Sequence, residues 1–245
     1  MKKKKEKNIR KEVVYGVHPI IELLKAKKRK LISIYTTKPL PKSWDKIKPY
    51  LPQRIQNIQY VSRDKLAGIA GSPEHMGVVA LTSPFQYQTK MFDAAKKPFI
   101  LLLDSIQDVG NLGAILRSAY CTGVDGVVLC RKGGSILTSA VFKASAGYAE
   151  HLDIYIAPTI NVAVEEIKKA GYNLYLSVVD SKNDATKIEY KKPTCLVIGN
   201  EATGITKSIK KDGTLITLPQ KTSDISYNAS VASGILLFLV SQKIK

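Results

Sequence analysis

Three stretches of this chain carry polar residues of kinds that handle anions, protons and sugars, and each directly follows an apolar run. The first is Asp104-Ser105-Ile106-Gln107-Asp108-Val109-Gly110-Asn111-Leu112-Gly113, with Arg117 shortly after it. Gly110, Asn111 and Gly113 ahead of a helix can present backbone N–H groups to an anion, and Arg117 falls about one turn later, pointing back to that loop. The pattern is neither the GxGxxG fingerprint nor a Walker loop, since no Lys-Ser/Thr pair ends it. The second stretch is Gly199-Asn200-Glu201-Ala202-Thr203-Gly204. Its first glycine permits a ligand to approach the backbone closely, and Glu201 can accept hydrogen bonds or cap the helix that follows. The third, residues 213–238, places Ser226 and Asn228 where a strand, a polar turn and a helix N-terminus meet. Taken singly, each has a plain structural reading: a turn beside an exposed Arg, a capping Glu, a capped terminal helix.

These residues need a scaffold, and the hydrophobic pattern predicts one. Residues 99–103, 126–130, 154–157, 174–179, 194–198 and 214–218 read as strands, the first buried on both faces. Helices are expected over 113–120, 137–150 and 162–170, near 205–210, and from about Asn228 onward. That alternation predicts a parallel sheet covered by helices on both sides, with its ligand crevice at the carboxyl ends of the strands. The last helix is dense in small residues (Ala229, Ser230, Ala232, Ser233, Gly234). A helical Gly costs about 0.5–1 kcal/mol relative to Ala, so the run predicts a face pressed against other backbone. Before this α/β region, residues 15–83 read as a smaller α/β unit. It has a helix over 20–25 and strands over 32–36, 58–61 and 78–82, while Pro39, Pro41, Pro49 and Pro52 break any long helix between them. The expected organisation is a basic disordered tail over 1–12, the small unit over 13–83, a polar linker over 84–97 and the larger domain over 98–245.

Net charge is the outlying bulk property, +18 over 245 residues. The first thirty residues hold twelve Lys/Arg against three acids. A surface this basic attracts polyanions, with RNA, DNA or ribosomes the candidate partners. Cys121, Cys130 and Cys195 form no CxxC pair, which suits reduced thiols in a cytoplasmic protein. Scattered histidines predict no metal site. No apolar segment follows the N-terminal lysines as in a signal peptide. No window approaches the roughly 18–20 apolar residues of a membrane span.

The three stretches in this order are far more specific than any one, and together they closely resemble the SpoU branch of the SPOUT superfamily, RNA ribose 2′-O-methyltransferases. NLGAILRSA resembles that family's first motif, GNEATGI its second and LPQKTSDISYNASVASGI its third, over roughly residues 98–245. KASAGYAE (143–150) resembles the small-residue helix between the first two motifs. The small unit, from YGVHPIIELL to HMGVVAL, is similar to the RNA-binding domain of members acting on 23S rRNA guanosine, a domain that tRNA members generally lack.

The resemblance implies a C-terminal trefoil knot, S-adenosyl-L-methionine as cofactor, a homodimer with sites near the subunit interface, and large-subunit rRNA as partner. By match to family positions, Asn111, Arg117, Glu201, Ser226 and Asn228 would surround the ribose and its phosphate. Backbone groups at Gly199, Leu218 and Tyr227 would hold the cofactor. Methyl transfer to a ribose hydroxyl is an in-line displacement on an already activated carbon. Positioning can supply on the order of 7–11 kcal/mol of its barrier, and a base about another 10²–10⁴-fold. Because guanidinium stays protonated, Arg117 is read as a phosphate clamp that stabilises a developing alkoxide. The chain departs from the family pattern at Ala202, Gln220, Thr222, Tyr227 and Ala229, all around the cofactor pocket. Two alternatives remain beside this reading: a tRNA ribose methyltransferase, and a non-catalytic ribosome-assembly factor that binds RNA.

Overall fold

A computed structural model describes residues 11–53, 57–222 and 226–244. The chain divides into two compact units, 1–86 and 87–245. Residues 1–10 of the expected tail lie outside the described residues; its end is structural, because Glu12 opens the first strand.

The smaller unit comprises β1 (Glu12–Tyr15), α1 (Val17–Ala26), β2 (Leu31–Thr36), the single turn α2 (Trp44–Ile47), β3 (Ile58–Tyr60), α3 (Arg63–Ala70) and β4 (Val78–Thr82). Its sheet runs β1-β4-β2-β3, antiparallel except for the β2–β3 pair. Alternation along β4 sends Val78 and Ala80 to a cluster with Ile20, Leu23, Ile34 and Trp44, and Val79 to one with Tyr15 and Leu66. One face therefore packs on α1 and α2, the other on α3.

The larger unit comprises β5 (Phe99–Leu103), α4 (Val109–Cys121), β6 (Gly126–Cys130), α5 (Ser139–Ala144), β7 (Ile154–Ala157), α6 (Ile160–Lys169), β8 (Asn173–Ser177), β9 (Thr194–Ile198), β10 (Thr214–Ile216) and α7 (Ala229–Lys243). All six strands are parallel, in the order β10-β8-β9-β5-β6-β7. The chain advances from β5 to β7, then returns on the opposite side, so the direction reverses between β5 and β9. Such a switch point opens a crevice beyond the strand carboxyl ends. Every residue of β5, β6 and β9 is buried, which explains their unbroken apolar sequences. Ile100, Leu102 and Val128 pack on Ala163, Val164 and Ile167 of α6, while α4 packs against α5 and α7.

Three expectations need correction. Residues 84–97 are not a free linker: Phe85 N–H donates to Glu12 Oε2 at 3.2 Å, Gln88 bridges Tyr155, and the Phe92 ring sits where any Cβ on Gly126 would lie, 2.6 Å away. The helix expected over 137–150 stops at Ala144, because Ala146 and Gly147 take positive φ of 52° and 89°; a short 3₁₀ turn, Tyr148–His151, follows. The small residues of α7 are also not forced by space at Gly234, where an added Cβ would meet only Ser118 Oγ at 3.6 Å. The tight approach is at Gly113 of α4, where a Cβ would lie 2.4 Å from that of Ala144.

Candidate functional site

The loops after β5 and β9 are stitched together side by side. Asp104, 1% exposed, extends the ladder by donating its N–H to Ile198 O at 2.8 Å. Its carboxylate accepts from Thr206 N–H at 2.7 Å, from the Thr206 hydroxyl at 3.1 Å and from the Ser105 hydroxyl at 3.1 Å. Ser105, held at φ 60°, offers its carbonyl to Asn200 Nδ2 at 2.7 Å. Asn200 Oδ1 in turn accepts from the N–H groups of Ala202 and Thr203, at 2.9 and 3.0 Å. Reciprocal backbone bonds between Asn200 and Gly204 close the loop. Buried polar groups that are fully paired in this way fix a unique geometry.

Upon that frame, Asn111 Nδ2 donates to Glu201 Oε1 at 3.0 Å, and Asn200 Nδ2 reaches Glu201 Oε2 at 3.3 Å. Two of the sequence-predicted side chains, ninety positions apart, therefore meet. Glu201 is not a helix cap. Of the amides at Gly110, Asn111 and Gly113, that of Asn111 is taken within the chain. Asp108 is the N-cap of α4 and accepts from Asn111 N–H at 2.7 Å, which satisfies one of the first-turn donors.

Beside Glu201 lies a cavity of about 320 Å³ at the carboxyl ends of β8, β9 and β10. Gly199, Glu201, Leu218, Ser226 and Tyr227 all line it. Gly199 is required by its neighbours, since a Cβ there would fall 2.4 Å from the Gly204 carbonyl carbon; the close approach is by backbone of the same loop. Tyr227 Oη donates to Pro219 O at 3.4 Å. Asn228 is the N-cap of α7, its Oδ1 accepting from Ser230 N–H at 2.8 Å and from the Ser230 hydroxyl at 2.6 Å. Arg117 is not among the cavity-lining residues. Its guanidinium stands 5.9 Å from the centroid of Tyr148, whose ring stacks on Tyr120 at 5.0 Å.

The lining is apolar at Val178, Val179, Ile198 and Ile205, with one carboxylate, Glu201, and one ammonium, Lys210, among the described residues. A volume near the lower end of the roughly 300–1,000 Å³ typical of ligand pockets, walled this way, suits one small amphipathic molecule bearing both charges. Burial, aided by Asp104, pushes the Cys130 thiol up to about 12, and burial holds Cys195 far above the usual range. Among the described residues no His, Cys, Asp and Glu side chains gather as metal ligands, and no helix is long and apolar enough to cross a membrane. Asp104, Asn200 and Lys210 are site residues that sequence reasoning missed. An Asp closing a wholly apolar strand was the available signal for the first.

Residues 98–238 match the SpoU rRNA Methylase family, and residues 13–88 match the family described as RNA 2'-O ribose methyltransferase substrate binding. A Bacillus subtilis protein named for the TrmH family of tRNA/rRNA methyltransferases, YacO, is 32% identical over 95% of this chain and 96% of its own length. The SpoU methyltransferase AviRb from Streptomyces viridochromogenes, solved in complex with AdoMet, shares the fold. It has a TM-score of 0.79 and 21% identity, over 96% of this chain and 90% of that one. An AdoMet-bound rRNA methyltransferase from Sinorhizobium meliloti does so too, with a TM-score of 0.77 and 21% identity over 96% and 88%. With the family match extending over most of the larger unit and the Bacillus relative over nearly the whole length, this chain belongs to the SpoU rRNA methylase family.

Proposed function

We propose that this family member transfers the methyl group of S-adenosyl-L-methionine to a ribose 2′-hydroxyl, that of a guanosine in large-subunit rRNA. The observation that carries the reading is the convergence of three loops: Asn111 bonded to Glu201, and Glu201 sharing one cavity with Ser226. The cavity fits the donor, since Glu201 complements a sulfonium or ammonium and Lys210 a carboxylate. When bound, the donor supplies an electrophilic carbon. Everything else falls to the chain's own side chains. Gly199, Leu218 and Tyr227 hold the cofactor, Glu201 and Asn111 orient the sugar from the stitched loops, and Ser226 and Asn228 bound it from the α7 side. Arg117 clamps the neighbouring phosphate and stabilises charge on the hydroxyl oxygen.

The same reading includes a homodimer and a knotted C-terminus. Val231, Ile235 and Phe238 form an exposed apolar stripe on α7, at 50%, 38% and 58% exposure, which supports burial against a second copy. Because Arg117 does not line the cavity of its own subunit, its proposed role is toward the cavity of the second copy. The knot rests on the family membership of residues 98–238. Localisation follows the substrate to the cytoplasm. Support for rRNA over tRNA is the 13–88 unit, spanned together with the larger one in the rRNA methyltransferase from Sinorhizobium; the Bacillus relative's name covers both RNAs.

Mapping ribose methylation in total RNA from cells with and without this protein tests the substrate. Loss of one 2′-O-methylguanosine from large-subunit rRNA, restored by the wild type and not by Glu201→Ala, is expected. A mark lost from tRNA instead selects the alternative enzyme. Calorimetry showing no S-adenosylmethionine binding selects an assembly factor. For the arginine, Arg117→Lys should cut kcat at least tenfold, because an ammonium cannot reproduce the bidentate fork.

A further inference from the structure

The smaller unit gathers a second constellation, at the end of its sheet where β2 and β3 finish and β4 begins. Register places Thr36 beside both Tyr60 and Val78. The loops leaving those strands are locked together: the Thr36 hydroxyl donates to Gly77 O at 2.9 Å, and the Ser43 hydroxyl to Met76 O at 2.8 Å. Gly77 lies so close to Pro41 that an added Cβ would sit 2.9 Å from that ring. From this fixed platform Tyr60 projects with 46% of its surface exposed, alongside Met76 at 56% and Leu40 at 47%. Lys38 Nζ lies over the Tyr60 ring, 4.3 Å from its centroid. Arg63 opens α3 three residues beyond β3, near enough for its charge to act on buried His75.

An exposed aromatic ring among flexible apolar side chains and two cations, all on rigid backbone, suits one ligand class. Unpaired nucleobases stack on aromatic faces while lysine and arginine take the flanking phosphates. A paired helix offers phosphates but no free base face, so it would use the cations and not the ring. A protein partner would not require the cation held over the ring. The segments 37–46 and 60–76 at this end hold Lys38, Lys42, Lys46, Arg63 and Lys65 against Asp45, Asp64 and Glu74, a balance that favours a polyanion.

We propose that Tyr60, with Lys38 held over its ring and Arg63 on the segment that follows, is a stacking platform for an unpaired base in a loop of the RNA substrate. This rests on the reading of the chain as an RNA methyltransferase and specifies what the smaller unit recognises: a splayed-out nucleotide next to structured RNA, distinct from the methylated one.

The test is fluorescence anisotropy of the full-length protein with a labelled hairpin RNA carrying an unpaired purine loop, against a blunt duplex of the same stem. Tyr60→Ala should weaken hairpin binding between about 5-fold and about 150-fold, the range for one lost base stack, and leave duplex binding unchanged. Tyr60→Trp should retain hairpin affinity, which also shows that the fold tolerates changes there. Lys38→Gln should lower affinity for both RNAs and reduce the salt slope by about one. Hairpin affinity unchanged in Tyr60→Ala, or hairpin and duplex weakened equally, overturns the proposal. So does a wild type without preference for the loop, which would point to a protein partner. Because none of these readouts involves the cofactor, a protein that binds loop RNA but gives no S-adenosylmethionine heat would sink the methyl-transfer reading and leave this one standing.

Discussion

Arg29 in the smaller unit and Asp104 in the larger are both withdrawn from solvent, at 7% and 1% exposure. Arg29 donates to Glu12 Oε2 at 2.9 Å, to the Thr82 hydroxyl at 2.5 Å and to Ser83 O at 2.9 Å. Those bonds tie the first strand of its sheet to the end of β4, on the opposite end from Tyr60. Asp104 binds Thr206 and Ser105, loop residues at the ligand end of its sheet. The physics is the same in both: a buried charge is tolerated only when every lone pair or proton is matched, and it then fixes the groups around it. One unit spends that rigidity on closing a fold. The other uses it to hold Thr206, at the end of the loop that walls the candidate cavity, so stability and ligand affinity should separate in the first case and not in the second.

The largest expected effect follows from Asp104→Ala. Three donors lose their acceptor inside the protein, at about 1–3 kcal/mol each where no water replaces it, so a loss of about 4 kcal/mol is expected. Urea unfolding of the larger unit by far-UV circular dichroism measures it, and S-adenosylmethionine affinity should fall in parallel. Arg29→Met should cost about 3 kcal/mol by taking the donor from Ser83 O and the counter-charge from Glu12. It should do so only in the smaller unit, where Trp44, the chain's single Trp, is buried and reports unfolding by fluorescence. Cofactor affinity lost in Arg29→Met, or kept in Asp104→Ala, would break the contrast.

A milder pair sharpens it within the larger unit. Gly199→Ala drives a Cβ into the Gly204 backbone and should cost about 2 kcal/mol while loosening the loop that carries Glu201. Gly234→Ala meets only Ser118 Oγ at an ordinary distance and should stabilise the protein by about 0.8 kcal/mol through helix propensity. Thermal unfolding separates the two signs. If Gly234→Ala destabilised by as much as Gly199→Ala, the small residues of α7 would after all mark a close backbone contact.

What the sequence revealed divides along local and non-local lines. Strands such as Phe99–Leu103 and Thr194–Ile198 have the expected bounds because burial on both faces writes itself into every residue. α3 escaped notice even though Ser62 caps it and Gly71 ends it at φ 65°, since only Leu66 and Ala70 mark its buried face. β1 was hidden behind the lysines that precede it. In the candidate site, the motifs singled out Asn111 and Glu201, which the fold brings within 3.0 Å of each other. Asp104 and Asn200 were not singled out, because their partners lie about a hundred residues away, at Thr206 and Ser105, and no local period encodes such a pairing. Lys210 went unnoticed for the same reason: only the folded chain brings its turn beside the cavity.

The smallest effect concerns acid and should fall on the smaller unit alone. His75 is buried, 1% exposed, and its Nδ1 accepts from Gly77 N–H at 3.0 Å, which requires that nitrogen to be unprotonated. Burial, and secondarily the Arg63 charge, lower its pKa in the fold. Below the unfolded-state value of about 6.5 the unfolded chain therefore binds more protons than the folded one, and stability drops with pH. The loss begins near that value, continues down to the depressed folded pKa and is constant below it; above it His75 contributes no slope. Trp44 fluorescence in urea should show the unit less stable at pH 5.5 than at 7.5, and His75→Gln should remove that share of the difference, since glutamine keeps an acceptor and cannot take a proton. An unchanged difference in His75→Gln would assign the acid sensitivity to other groups. A pH effect that also moved the unfolding of the larger unit would show that the two regions do not keep their buried polar groups to separate ends.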